Sequence, residues 1–250
     1  MNAASGSSRW GSATRIGLIE LSTSVTLTAE VAEVMPAEVG ALFTRISLPN
    51  GEATPESIGS MVNSGRLEAA VRELADGGIA AAAFACTTGS LIGGPGFDVE
   101  LSQRLGSEAG IPVTTTAGAM LKALEAVGAR RIAVATPYVD SLNELERRFL
   151  SAAGFEVVAI EGLGIASDPE IAEVGLGAVR ALVLRIARDA DAVFISCTNL
   201  ATLAILGDLE EDLSRPVISS NAVTLWDVMG LAGFPPAIDG CGSLLAGRWS

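Results

Sequence analysis

The chain has 250 residues, 49% of them hydrophobic, and a formal charge of −13. That apolar content excludes disorder for the bulk of it and suffices for one two-lobed domain or two small ones. With 16 basic against 29 acidic residues, nucleic acid and anionic membrane are excluded as partners, because both require basic surface.

Residues 1–14 are Ser- and Gly-rich and lack the apolar stretch of a signal peptide, so they read as a flexible tail. A first strand is predicted over 15–21, followed by Ser22-Thr23-Ser24 and a helix over 28–35. A second strand over 43–48 stops at Pro49-Asn50-Gly51. Apolar residues at helical spacing predict one helix over 55–76, stopped by Gly77-Gly78, and a strand over 79–85 then delivers Cys86. The uncharged stretch 77–94 approaches membrane-span length, but it is mostly Ala and Gly, as in a buried strand entering a turn. Gly93-Gly94-Pro95-Gly96 has no basic companion and reads as a loop. Lys122, the only lysine, sits in an amphipathic helical run. The second half predicts strand 132–136, helix 142–153, strand 156–160, helix 169–187 and strand 192–196, which delivers Cys197. The acidic run 208–212 reads as a solvated face.

The halves resemble each other. Ala83-Phe84-Ala85-Cys86-Thr87-Thr88-Gly89-Ser90 matches Phe194-Ile195-Ser196-Cys197-Thr198-Asn199-Leu200. Arg15-Ile16-Gly17-Leu18-Ile19 matches Arg131-Ile132-Ala133-Val134-Ala135, and 111–115 matches 215–219. From Arg15 to Arg131, Cys86 to Cys197 and Thr115 to Ser219 the offset shrinks from 116 to 111 to 104 residues. Offsets that shrink without changing order indicate a duplication with loop trimming. The fold class expected is therefore α/β: two similar lobes, each a parallel sheet flanked by helices, related by a pseudo-two-fold axis with the active site between them. Lobe 1 takes 15–115 plus 220–250, and lobe 2 takes 116–219.

Ligands of such sheets bind beyond the carboxyl ends of the strands. Cys86, Cys197, Ser22, Ser24 and Tyr138 all fall at that edge. A buried cysteine is often only a small hydrophobe. Here the two occupy equivalent positions, each before Thr, where a following helix N-terminus would lower the thiol pKa from its usual value of about 8.5. Cys241 has no such counterpart and reads as structural. An odd, widely spaced set of cysteines points to free thiols in a reducing cytoplasm. Thr87, Thr88, Thr198 and Asn199 suit either helix capping or ligand binding, and Tyr138, the only tyrosine, suits packing or donation to a carboxylate. The absence of histidine removes Ser-His and Cys-His pairs and imidazole metal sites. No phosphate-binding glycine motif is present, so no cofactor is expected.

On Ile16-Gly17-Leu18-Ile19, Cys86-Thr87-Thr88-Gly89-Ser90, Arg131 through Tyr138, Gly162-Leu163-Gly164-Ile165 and Ser196-Cys197-Thr198, the sequence resembles the aspartate/glutamate racemase superfamily, in its branch of maleate cis-trans isomerases and arylmalonate decarboxylases. The resemblance covers nearly all of the chain after the tail. It implies a homo-oligomeric enzyme without cofactor, acting on a small carboxylic acid with Cys86 and Cys197 on opposite faces, as isomerase or racemase. Ser22, Ser24, Thr87, Thr88, Tyr138, Asp168 and Thr198 would hold substrate. Decarboxylases of the branch keep only the cysteine matching Cys197, so Cys86 favours isomerase or racemase; a decarboxylase protonating through Cys197 and a non-enzymatic binder of small acids are the alternatives. Where maleate isomerases carry asparagines, this chain has Ser24 and Asp168. An ionised aspartate accepts but cannot donate, which suggests a substrate bearing an amino group at that end.

Overall fold

The computed structural model describes residues 14–249; residues 1–13, and with them almost all of the expected tail, lie outside the described residues. Thr14 already belongs to β1 (Thr14–Leu21).

Two four-stranded sheets carry the fold. The first has the order β2-β1-β3-β4, with β2 (Val39–Ile46), β3 (Ala81–Phe84) and β4 (Val113–Thr115); the second repeats it as β6-β5-β7-β8, with β5 (Arg131–Thr136), β6 (Glu156–Gly162), β7 (Ala192–Ile195) and β8 (Val217–Ser219). All six pairings are parallel. Central strands β3 and β7, Ala-Ala-Ala-Phe and Ala-Val-Phe-Ile, are buried at every residue, because a parallel sheet covered by helices has no wet face. The expected two-lobed α/β architecture is thus observed, with equivalent strands in equivalent places.

Differences arise where periodicity had little to register. β2 starts four residues before the strand predicted over 43–48, since an edge strand is only partly covered and Gly40 interrupts its apolar run. The helix predicted over 55–76 is two, α2 (Pro55–Val62) and α3 (Arg66–Asp76), parted where Gly65 takes φ 73°. The helix predicted over 169–187 divides into α8 (Asp168–Ala172), capped by Ser167, and α9 (Leu176–Ile186), with extended Gly175 between them. The acidic run is not wholly solvated: Glu210 is half-buried and accepts from Ser243 N and Oγ, each at 2.7 Å.

The helices after the fourth strands cross between lobes. α6 (Thr116–Ala126) buries Ala117, Met120 and Leu124 against Ile132, Val134 and Phe194 of the second sheet. α11 (Ser220–Leu231) packs on β3 and β4 of the first. One apolar cluster joins Ile16, Leu18 and Ala83 to Ala135, Val193 and Ile195, so the carboxyl edges of both sheets face each other across a common core. Among the described residues no helix is long and apolar enough to cross a membrane.

Candidate active site

β3 and β7 bring Cys86 and Cys197 to the meeting edges of the two lobes. Cys86 Sγ caps α4 (Thr87–Leu91), accepting from Gly89 N at 3.4 Å, with Thr88 Oγ1 at 3.8 Å. Cys197 Sγ likewise accepts from Asn199 N at 3.4 Å. Their settings then diverge. No helix follows Cys197 directly; α10 begins only at Leu203 and runs to Leu213. Its first amides are held by Glu30 of α1 (Thr26–Val34), which accepts from Thr202 N at 2.6 Å and Leu203 N at 2.7 Å. Cys197 itself has φ 92°, a region that residues with a side chain seldom occupy.

Hydroxyls lash the two cysteine turns together. Thr198 Oγ1 donates to Ala85 O at 3.1 Å, the Thr87 and Ser220 hydroxyls lie 2.8 Å apart, and Cys197 N donates to Ser220 Oγ at 3.0 Å. Tyr138 is buried close to Ser196 and Cys197, and burial raises its hydroxyl well above the usual tyrosine range. Asp168, buried at the first turn of α8, accepts on Oδ2 from Thr23 Oγ1 at 2.5 Å and from Asn199 Nδ2 at 3.1 Å. Asn199 is a crosspiece between lobes: its Oδ1 accepts from Val25 N at 3.0 Å and Thr26 N at 3.3 Å, while its amide also reaches Asp168 O at 2.9 Å.

Above this constellation Ala53 N donates to Ala166 O at 2.7 Å, and Glu52 and Ser167 form an antiparallel bridge between the lobes. The cleft is shut, leaving Cys86 3% and Cys197 5% exposed. Burial dominates the electrostatics, contrary to the lowered thiol pKa expected from helix N-termini. It pushes Cys86 up to about 12, against Gly89 N–H and Thr88, with the Asp168 carboxylate adding to the rise. Cys197 is driven higher still, first by burial and then by Asp168; Asn199 N–H and Tyr138 oppose this, and Cys86 adds to it. The closed site therefore holds two neutral thiols.

Seven of the nine residues singled out in the sequence converge here: Cys86, Cys197, Thr87, Thr88, Tyr138, Asp168 and Thr198. Two do not. Ser22 is exposed and extends the β1–β2 ladder through Ser22 N to Ile46 O at 2.8 Å. Ser24 is buried beside the Glu20 carboxylate, which itself pairs with Arg45 at 2.8 Å. Thr23, the residue between them, is the one that reaches Asp168, because the turn after β1 points it across the cleft. Sequence reasoning also passed over Ser220, although the repeat placed it just beyond β8, at the same edge as the cysteines. Cys241 packs in the core and Lys122 pairs with Asp227 at 2.7 Å, both structural roles. Among the described residues no cluster of three or more Cys, Asp or Glu is placed to hold a metal ion.

The protein-family model described as arylmalonate decarboxylase matches residues 16–245. The chain is 31% identical over 210 residues to the arylmalonate decarboxylase of Bordetella bronchiseptica, covering 81% of this chain and 87% of that one. It is 30% identical over 247 residues to the maleate isomerase of Nocardia farcinica, covering 92% and 95%. A solved structure of the Nocardia farcinica maleate cis-trans isomerase, a cysteine-to-serine variant with a covalently bound succinylcysteine intermediate, superposes with a TM-score of 0.86 at 27% identity over 93% of this chain and 98% of that one. With the match running from the first strand to the last helix, the chain belongs to the arylmalonate decarboxylase family.

Proposed function

We propose that this protein is a cofactor-independent isomerase or racemase of a small carboxylic acid that works through Cys86 and Cys197. The observation that carries the reading is the pair itself: two thiols on equivalent strand ends, facing one cleft, each with its sulfur on a backbone N–H. Two routes fit that geometry. In the first, one thiolate adds to an alkene carbon, the π pair moves to the carbon beside the carboxylate, the new single bond rotates, and breaking the C–S bond returns alkene and thiolate. In the second, one thiolate removes an α-proton from one face while the opposite S–H delivers a proton to the other. Both pass through an enediolate, whose oxygens need donors such as Tyr138, Thr87, Thr88 and Thr198. Thiolate is the reactive form, so opening of the Ala53–Ala166 closure, which readmits water to the sulfurs, belongs to the cycle.

The succinylcysteine of the Nocardia isomerase supports the first route. Asp168, a buried acceptor whose charge is felt by both thiols, supports a substrate with an amino group at that end; a gain of maleate turnover in Asp168→Asn is expected, and no gain would count against it. A decarboxylase protonating through Cys197 is the second reading, favoured by the 31% identity to the Bordetella enzyme. Free thiols fit a reducing cytoplasm, the crossing of α6 and α11 fits lobes bounded at 115/116 and 219/220, and the family resemblance supports a homo-oligomer.

The deciding experiment is deuterium incorporation by NMR in D2O, using wild type, Cys86→Ala and Cys197→Ala with aspartate, glutamate, maleate and substituted malonates. Label or cis-trans change that needs both cysteines is the expected result. CO2 release with label that needs Cys197 alone would move the chain to the decarboxylases. Ligand binding without turnover, unchanged when both cysteines become serine, would make it a binding protein.

A further inference from the structure

The two cysteine turns are not held in the same way. Cys86 leads straight into α4, and its carbonyl accepts from Ser90 N at 3.1 Å, as in the first turn of a helix. Cys197 stands at φ 92°, its carbonyl reached by Leu200 N at 3.4 Å, and α10 does not begin until Leu203. A residue in that region of φ keeps its conformation only where surrounding structure holds it.

α1, on the opposite lobe, grips this turn at both ends. No side chain of its own caps α1, and its first turn has no acidic residue. The acceptor comes from across the cleft: Asn199 Oδ1 takes Val25 N–H at 3.0 Å and Thr26 N–H at 3.3 Å, while Thr26 Oγ1 donates to Asn199 O at 2.9 Å. One helical turn on, Glu30 does the converse for α10, whose N-cap Thr202 makes no side-chain cap bond. Glu30 Oε1 takes Thr202 N–H at 2.6 Å and Leu203 N–H at 2.7 Å, and its Oε2 takes Asn221 Nδ2 at 2.5 Å. Each lobe thus caps a helix of the other, and the Cys197 turn lies between the two caps. With the Asn199 side chain fixed in this way, its backbone N–H rests on Cys197 Sγ at 3.4 Å, where a thiolate would need a donor.

We propose that Asn199 and Glu30 are positioning residues for Cys197: Asn199 caps α1 and Glu30 caps α10, and together they hold residues 197–203 so that the Asn199 N–H stays on the Cys197 sulfur. Cys86 receives the same service from α4 itself. The catalytic meaning of this rests on Cys197 being a reacting group, as proposed above. Asn199 also donates to Asp168, whereas the hydrogen bonds of Glu30 reach neither Asp168 nor a sulfur, so replacing Glu30 isolates the effect.

The test is alkylation of the native full-length protein by iodoacetamide, with the rate at each cysteine read by mass spectrometry of the digested peptides. In Glu30→Ala the Cys197 rate should rise at least about tenfold relative to the Cys86 rate, as the loss of a helix cap and a buried hydrogen bond implies. Glu30→Gln keeps an oxygen for both α10 amides, and Asn221 can turn its unpartnered Oδ1 to the new NH2, so the ratio should return to within about twofold of wild type. Val223→Ala, fully buried in α11, loosens the fold as a whole and should move both cysteines alike. In turnover, kcat should fall by about tenfold in Glu30→Ala with KM little changed, and recover in Glu30→Gln. An unchanged Cys197 to Cys86 ratio in Glu30→Ala overturns the proposal, and so does a glutamine variant as reactive as the alanine one. Should Glu30→Ala not fold, Thr26→Val, which removes only the bond to Asn199 O, should raise the same ratio about fivefold, and no rise there overturns it equally. If no acid in the panel turns over, the functional reading fails while the alkylation ratio still decides this inference.

Discussion

Replacing Ser220 by alanine tests whether the two cysteine turns work as one unit. The hydroxyl of Ser220 takes the Cys197 N–H at 3.0 Å and meets the Thr87 hydroxyl at 2.8 Å, in a position without solvent exposure. Its removal leaves a buried amide without an acceptor, costing about 1–3 kcal/mol, and deletes a second hydrogen bond of about 1 kcal/mol, so stability should drop by about 2–4 kcal/mol. Cys197 also stands at φ 92°, a conformation that costs about 1–3 kcal/mol and persists because its neighbours hold it. Freed from Ser220, the residue can relax toward negative φ and carry its sulfur out of the cleft. At about 1.4 kcal/mol per tenfold, that release should lower kcat by about 10- to 100-fold beyond any effect of unfolding. Val223→Ala is the control: it lies fully buried in the same helix and should lose about 2–3 kcal/mol without touching either turn. Urea denaturation followed by circular dichroism gives the stabilities, and deuterium incorporation per folded molecule gives the activities. Equal specific activity in Ser220→Ala and Val223→Ala would refute the reasoning, since the hydroxyl would then be only one more buried polar group.

Asp168→Asn removes a negative charge that raises both thiols, so both should titrate at lower pH than in wild type, read from the ultraviolet absorbance of the thiolates; unchanged titrations would place the Asp168 charge too far off to matter. Glu146 is an acid with a folded pKa raised from 4.5 to about 8, so the folded state binds the extra proton and stability falls as pH rises through that window. The slope is about 1.4 kcal/mol per pH unit, and urea midpoints of Glu146→Gln should lack it. Gly162→Ala would drive a Cβ into Tyr138 O and to 2.6 Å from Asn143 Nδ2; the expected cost is at least about 1–3 kcal/mol by urea denaturation, and a wild-type midpoint would show that this turn yields easily.

Much of this architecture is local chemistry repeated. Apolar runs ending in Cys-Thr, recurring in constant order, identify two parallel-sheet lobes and set both thiols at their carboxyl edges, because a strand buried on both faces must be apolar throughout and its exit must be a turn. Tyr138 was legible for the same reason, lying just past a strand, whereas Asp168 was singled out by the family resemblance alone. Other features depended on residues distant in the chain. Thr23 rather than Ser22 or Ser24 reaches the site because the turn after β1 chooses which side chain crosses the cleft. The second copy of the Cys-Thr turn lacks the helix of the first, since Glu30, more than 170 residues away, supplies the cap at Thr202 and Leu203. Proton affinity was decided in space as well. A sequence shows a cysteine beside a threonine, and only packing shows how little water surrounds its sulfur, which here outweighs every donor and leaves both thiols neutral in the closed cleft.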